Sequence, residues 1–114
     1  MLQGQQSPKR ISISTTDGVL FFAAQDIIRL EAMQNYTRFV FKSGKKVLAS
    51  LNLKHFEIDL KPFRNFFRIH KSHIVHLAEV VRFIKGDKSY VELSNGDVLP
   101  VAKSKREGVL GLLG

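Results

Sequence analysis

The sequence predicts a mainly antiparallel all-β fold of nine or ten short strands with one central helix, as a sandwich or barrel-like arrangement. Three observations carry that expectation. Apolar and polar residues alternate over many short segments, turn residues recur between them, and one stretch alone has helical spacing. With 114 residues, 44% hydrophobic and 25% charged, the chain suffices for one domain with a real core, not for two.

Residues 1–9, MLQGQQSPK, are polar and aperiodic and read as a flexible lead-in or linker stub. Ile11 and Ile13 alternate with Ser12 and Ser14, and Thr16-Asp17-Gly18 turns the chain into Val19-Leu20-Phe21-Phe22. Ile28, Leu30 and Ala32 form the next alternating set, with a turn expected at Asn35. Phe39 and Phe41 follow, Ser43-Gly44 ends that strand, and Lys45 to Ala49 returns beside it. Leu53, Phe56 and Leu60 then fall on one helical face, with Asn52 as N-cap and Pro62 as the stop. Strands are expected again over 66–69, 74–77, 80–84 and 90–93, and Asn95-Gly96-Asp97 joins the last of these to 98–101. The tail from Lys103 to Leu113 opens as a basic helical turn, which Gly108, Gly111 and Gly114 should weaken.

Charge narrows the function. Eighteen Lys and Arg against ten Asp and Glu give +8, a balance that favours a polyanionic partner. No apolar run approaches the ~20 residues of a membrane span, and Pro8, Lys9 and Arg10 interrupt the first twenty residues where a signal-peptide core would lie. The absence of cysteine excludes disulfides and thiolate metal sites and fits a reducing, cytoplasmic setting. An enzyme is not expected. Ser72 lies near His70 and His73 without an orienting carboxylate, and no P-loop, G-x-S-x-G or G-x-G-x-x-G occurs. His70, His73 and His76 recur every third residue, but no carboxylate completes a metal set nearby, so neither metal nor cofactor is expected.

Basic residues concentrate near expected loops and strand ends: Arg38, then Arg68 with Lys71, then Lys103 with Lys105 and Arg106. Thr37, Ser72 and Ser104 supply hydrogen-bonding neighbours, and loops distant in sequence can meet on one edge of a β fold.

These stretches resemble a known family, the LytTR DNA-binding domain. The resemblance runs through Asp26-Ile27-Ile28-Arg29-Leu30-Glu31-Ala32, Asn35-Tyr36-Thr37 and Leu53-Lys54-His55-Phe56. It continues through Phe67-Arg68-Ile69-His70-Lys71-Ser72-His73-Ile74-Val75-His76 and ends on Leu93 to Lys103, over residues 10–113 in all. Two positions depart from the family pattern: His76 replaces the usual Asn, and Ala102 the usual Ser.

The resemblance implies an elongated arrangement of about ten strands in three sheets with one short helix. It also implies a transcription-regulatory effector domain that binds duplex DNA through loops in successive major grooves, commonly at promoter direct repeats. Carried onto this chain, Thr37 and Arg38 would project in the first loop, Lys71 in the second and Lys103 in the third, with Tyr36 packing beneath. Arg68, Ser72, His73, Ser104, Lys105 and Arg106 complete the expected DNA-binding set, while Lys9, Lys85 and Lys88 add only to the general field. A receiver domain ahead of the module in a longer parent is a further expectation, and the isolated domain should be monomeric, pairing on DNA. The competing classes are a protein-interaction module whose basic face meets an acidic partner, and an RNA binder, for which stacking aromatics are few.

Overall fold

Three antiparallel sheets, assembled from ten strands, make up the computed structural model, which describes residues 10–63 and 65–114. The expected lead-in over 1–9, with Lys9, lies outside the described residues. A two-stranded sheet pairs β1 (Arg10–Thr15) with β2 (Gly18–Ala23). The central five-stranded sheet takes β3 (Ile27–Met33), β4 (Tyr36–Phe41), β5 (Lys46–Ala49), β6 (Phe66–His70) and β7 (His73–His76), in the order β5-β4-β3-β7-β6. The third sheet places β9 (Ser89–Leu93) between β8 (Val80–Ile84) and β10 (Val98–Val101). The radius of gyration, 14.5 Å, exceeds the ~13 Å of a sphere-like domain of this size. The expected elongation, sheet count and strand count are all present.

Local chemistry explains the hairpins. At Phe41–Lys45 the Phe41 N–H donates to the Lys45 carbonyl and the Gly44 N–H to the Phe41 carbonyl, both at 2.9 Å. Leu93–Asp97 repeats this arrangement at 2.8 Å. Each is a three-residue loop whose third residue needs positive φ, and Gly44 (+91°) and Gly96 (+92°) supply it without a Cβ penalty. In the β3–β4 turn it is Gln34, not Asn35, that takes the left-handed conformation, at +58°.

The first helix, α1 (Leu53–Asp59), begins as the sequence predicts: Asn52 Oδ1 accepts from the His55 N–H at 3.0 Å. Leu53, Phe56 and Leu60 are buried beneath it. The tail differs from expectation. It forms a second helix, α2 (Arg106–Leu113), through the glycines that should have weakened it. Packing overrides propensity here: a Cβ on Gly108 would lie 3.2 Å from Phe67 Cζ, so glycine permits the close approach, and fully buried Val109 anchors the helix. No helix among the described residues is long and apolar enough to cross a membrane.

Two apolar clusters lie on opposite faces of the central sheet. One gathers Leu30, Phe39 and Ile74 with Ile13 of β1 and Phe56 of α1. The other joins Ile28, Ile69 and Val75 to Val91 and Leu93 of β9 and Val109 of α2. An irregularity in the β3 register between Ile27 and Arg29 lets Ile27 share a cluster with Leu30, which strict alternation would place on opposite faces.

Candidate nucleic-acid interface

The strand directions bring three loops to neighbouring positions. The β3–β4 and β6–β7 turns share one end of the central sheet, and the Ala32 N–H donates to the Ser72 carbonyl at 2.9 Å. The junction between β10 and α2 joins them through the Ala102 N–H, which donates to the Ile69 carbonyl at 2.8 Å. Residues over 32–36, 69–73 and 102–106 are thereby stitched together by backbone.

Side-chain alternation decides what projects. Tyr36, Arg38 and Val40 share one face of β4, while Thr37, Phe39 and Phe41 share the core face. Thr37 is wholly buried and its hydroxyl donates to the Leu51 carbonyl at 2.9 Å. It does not project, and the expectation for it is corrected. Tyr36 is the reverse case: expected beneath the turn, it is 46% exposed.

The expected basic residues divide into two kinds. Lys71 and Lys103 are exposed, as is Ser104. Arg38 is half-exposed, with one guanidinium nitrogen 2.8 Å from Glu31 Oε1. Lys105 is half-buried, its ammonium 5.6 Å from the Phe67 ring centroid. Arg68 instead braces the second loop. It donates to the Lys71 carbonyl at 2.5 Å, to the His70 carbonyl at 3.3 Å and to Glu57 Oε1 at 2.8 Å. Arg106 donates to the Asp87 carbonyl and so ties the β8–β9 turn to the third loop. Lys85 and Lys88 on that turn are therefore beside the third loop, not remote from the interface as their place in sequence suggests.

The histidines are structural in different ways. Nδ1 of His70 accepts from the Ser72 N–H at 3.1 Å, which fixes the turn that presents Lys71. His76 donates through Nδ1 to the Ile27 carbonyl at 2.9 Å and stacks on Phe66, so this departure from the family pattern serves the interior. His73, half-buried, pairs across strands with Glu31 and with His70. Among the described residues no three ligating side chains converge on a metal position.

Sequence reasoning missed the arginine beneath these loops. Arg29, 8% exposed, donates from Nε to Asp97 Oδ2 at 2.8 Å and from Nη1 to Glu31 Oε1 at 3.1 Å. Glu31 also receives Arg38, so one carboxylate positions two arginines and links the first loop to the Asn95-Gly96 hairpin. The signal available was a charged pair, Arg29 and Glu31, inside an otherwise apolar strand. Its third member lies 68 residues away, beyond any local pattern.

Burial raises the Glu31 carboxyl, but hydrogen bonds from Arg38 and Arg29 outweigh it and hold the group below the ordinary range. Asp97 is likewise raised by burial and lowered further by Arg29 and Asn95. His73 is lowered by burial, with Glu31 opposing and His70 and Arg29 adding to the shift. A depressed native pKa contributes stability above the unfolded value and loses it as pH falls through the native one. The urea midpoint should therefore fall modestly from roughly pH 7 to 5.5 as His73 is affected, then more steeply below roughly pH 4.5 as the carboxylates protonate. A midpoint constant from pH 7 down to about pH 3 would remove both contributions.

Comparison with known proteins is consistent with this geometry. The family model of the LytTr DNA-binding domain matches residues 17–114, beginning inside the β1–β2 turn. Two heme-containing CO-sensing transcriptional regulators of Paraburkholderia xenovorans, RcoM 2 and RcoM 1, are each 31% identical, over 92% and 95% of this chain. The chain spans 40% and 42% of their lengths. A solved LytTr DNA-binding domain from Bacillus cereus, whose parent is described as a methyl-accepting/DNA response regulator, superposes with a TM-score of 0.75 at 25% identity. That match covers 92% of this chain and 96% of the other.

Proposed function

The chain belongs to the LytTR DNA-binding domain family, and from that premise we propose that it is the sequence-specific effector domain of a transcription regulator. It reads promoter direct repeats by placing loops in successive major grooves of duplex DNA. The observation that carries this reading is the convergence of three loops on one end of the central sheet, two of them presenting exposed lysines, Lys71 and Lys103. Their ammonium groups suit guanine O6 and N7 or phosphate oxygens, and Ser72, Ser104 and nearby amides suit phosphates. Arg38 reads from β4, on the same face as Tyr36 beside the first loop, and Lys105 adds charge at the third. Arg68, His73, Arg106 and Thr37 act from behind, holding the loops. The domain works by binding rather than catalysis, in the cytoplasm, in a longer parent with a receiver domain ahead of it. Alone it is monomeric, pairing on adjacent repeats.

Alanine replacement of Arg38, Lys71 or Lys103 should each cost about 1–3 kcal/mol on a selected duplex and relax the preference at one base position. Lys42 and Lys45 serve as controls, because they lie on the β4–β5 turn at the opposite end of β4 from Arg38's turn. Replacing them should weaken selected and scrambled duplexes alike, and slightly. Equal losses on both duplexes from the first three variants would reduce those residues to phosphate grips. An acidic protein that competes as well as the selected duplex would favour the protein-interaction module instead.

A further inference from the structure

Glu31 stands in a row of side chains that crosses the central sheet near the joined loops. Strand register sets Leu48 of β5 opposite Arg38 of β4, Arg38 opposite Glu31 of β3, and Glu31 opposite His73 of β7. Alternation turns Arg38 to the face that also carries the exposed Tyr36. Glu31 Oε1 accepts from Arg38 Nη2 at 2.8 Å and from Arg29 Nη1 at 3.1 Å. Arg29 is fixed in turn by Asp97, so the carboxylate that meets Arg38 is itself braced. Among the described residues only Nη2 of Arg38 is engaged, which leaves Nη1 and the second hydrogen of Nη2 for a base.

Two features of this pair are unfavourable unless the pose has a use. Nε of Arg38 lies buried without a hydrogen-bond partner, although a freely turning side chain would take that N–H to water. A carboxylate beside a DNA-facing arginine also subtracts from the attraction for phosphate, in a chain otherwise at +8. Both make sense if direction matters more than charge. Arginine reads guanine through two parallel N–H groups, and a fork already held in place loses less freedom on meeting the base. We propose that Glu31 is a specificity-determining positioning residue, which aims the Arg38 guanidinium at one base and gives up general affinity for phosphate in doing so. The role rests on the DNA-binding reading above, in which Arg38 meets a base.

Fluorescence anisotropy on a selected duplex, a scrambled duplex and duplexes varied one base pair at a time tests it. Arg38→Ala marks the position that Arg38 reads, as the one where preference relaxes. Glu31→Gln keeps the size of the side chain and removes its charge. It should bind the scrambled duplex about 2- to 3-fold more tightly and the selected one no better, with preference at the Arg38 position falling roughly 3- to 10-fold. Glu31→Asp keeps the charge and draws the carboxylate back by one methylene, so preference should fall without the gain on scrambled DNA. In the free protein, rotation of the Arg38 guanidinium about Nε–Cζ, read by ¹⁵N NMR, should quicken at least about 3-fold in both variants. Rotation as slow in both variants as in wild type overturns the hold. Preference kept in both variants while Arg38→Ala relaxes it overturns the positioning and leaves the DNA-binding reading standing. Preference lost at many positions reduces Glu31 to a structural residue. Preference unchanged in Arg38→Ala removes Arg38 as a reader, and the role of Glu31 with it.

Discussion

Raising salt from about 50 to about 200 mM should weaken binding to a selected duplex by several hundred-fold, on the order of 3–4 kcal/mol. Each neutralised phosphate releases condensed counterions, so about five contacts give a slope of log K against log salt of roughly −4 to −5. Lys71, Lys103 and Lys105 supply three of these charges from the second and third loops, Arg38 adds part of a fourth from β4 beside its Glu31 partner, and the remaining excess of a chain at +8 supplies the rest. Braced residues contribute less, because Arg68 and Arg106 donate to the protein's own carbonyls. Fluorescence anisotropy over a salt series reads the slope directly. A slope shallower than about −2 would leave fewer phosphate contacts than three basic loops require.

Arg29→Met should be the most damaging single change away from the apolar clusters, at about 2–4 kcal/mol of folding stability. The guanidinium bonds Asp97 and Glu31; its loss breaks the Asp97 ion pair beside a low-dielectric gap, while Glu31 keeps Arg38. Their side chains are 36% and 25% exposed, so water recovers part of the loss, which keeps the figure below that of a fully enclosed pair. Adding Asp97→Asn to Arg29→Met should restore about half of the stability, since the main penalty is the unpaired Asp97 charge rather than the missing attraction. Urea unfolding of the single and double variants measures this. A double variant less stable than Arg29→Met would mean that the amide replacement loses more than the removed charge returns.

Much of the architecture was legible because the local signals agree with the global arrangement. Alternation located the strands, Gly44 and Gly96 marked loops that require positive φ, and Asn52 capped the helix it was expected to cap. The second helix was obscured because Gly108 reads as a helix breaker, whereas its role is set by Phe67, which only the folded chain brings near. At the interface, the loops were legible but the direction of individual side chains was only partly so. Thr37 shares strand parity with Phe39 and Phe41, and that parity was present in the sequence to place it inward. Arg29 could not be paired with Asp97 from sequence, because only the β9–β10 hairpin folding against the central sheet makes them neighbours.

The apolar clusters on the two faces of the central sheet bear on how the molecule comes apart. Neighbouring residues of β7, Ile74 and Val75, sit in different clusters, so the same strand is a wall for both. Losing either half strips cover from the other, which couples them into one cooperative transition. The β1–β2 hairpin joins that unit mainly through β1. Ile11 and Ile13 fasten it from β1, and Ser50 donates backbone and hydroxyl hydrogens to the Ser14 carbonyl, while Val19 and Phe21 of β2 remain 52% and 61% exposed. Fraying is therefore expected first along the uncovered outer face of β2, while β1 stays held by the cluster it completes.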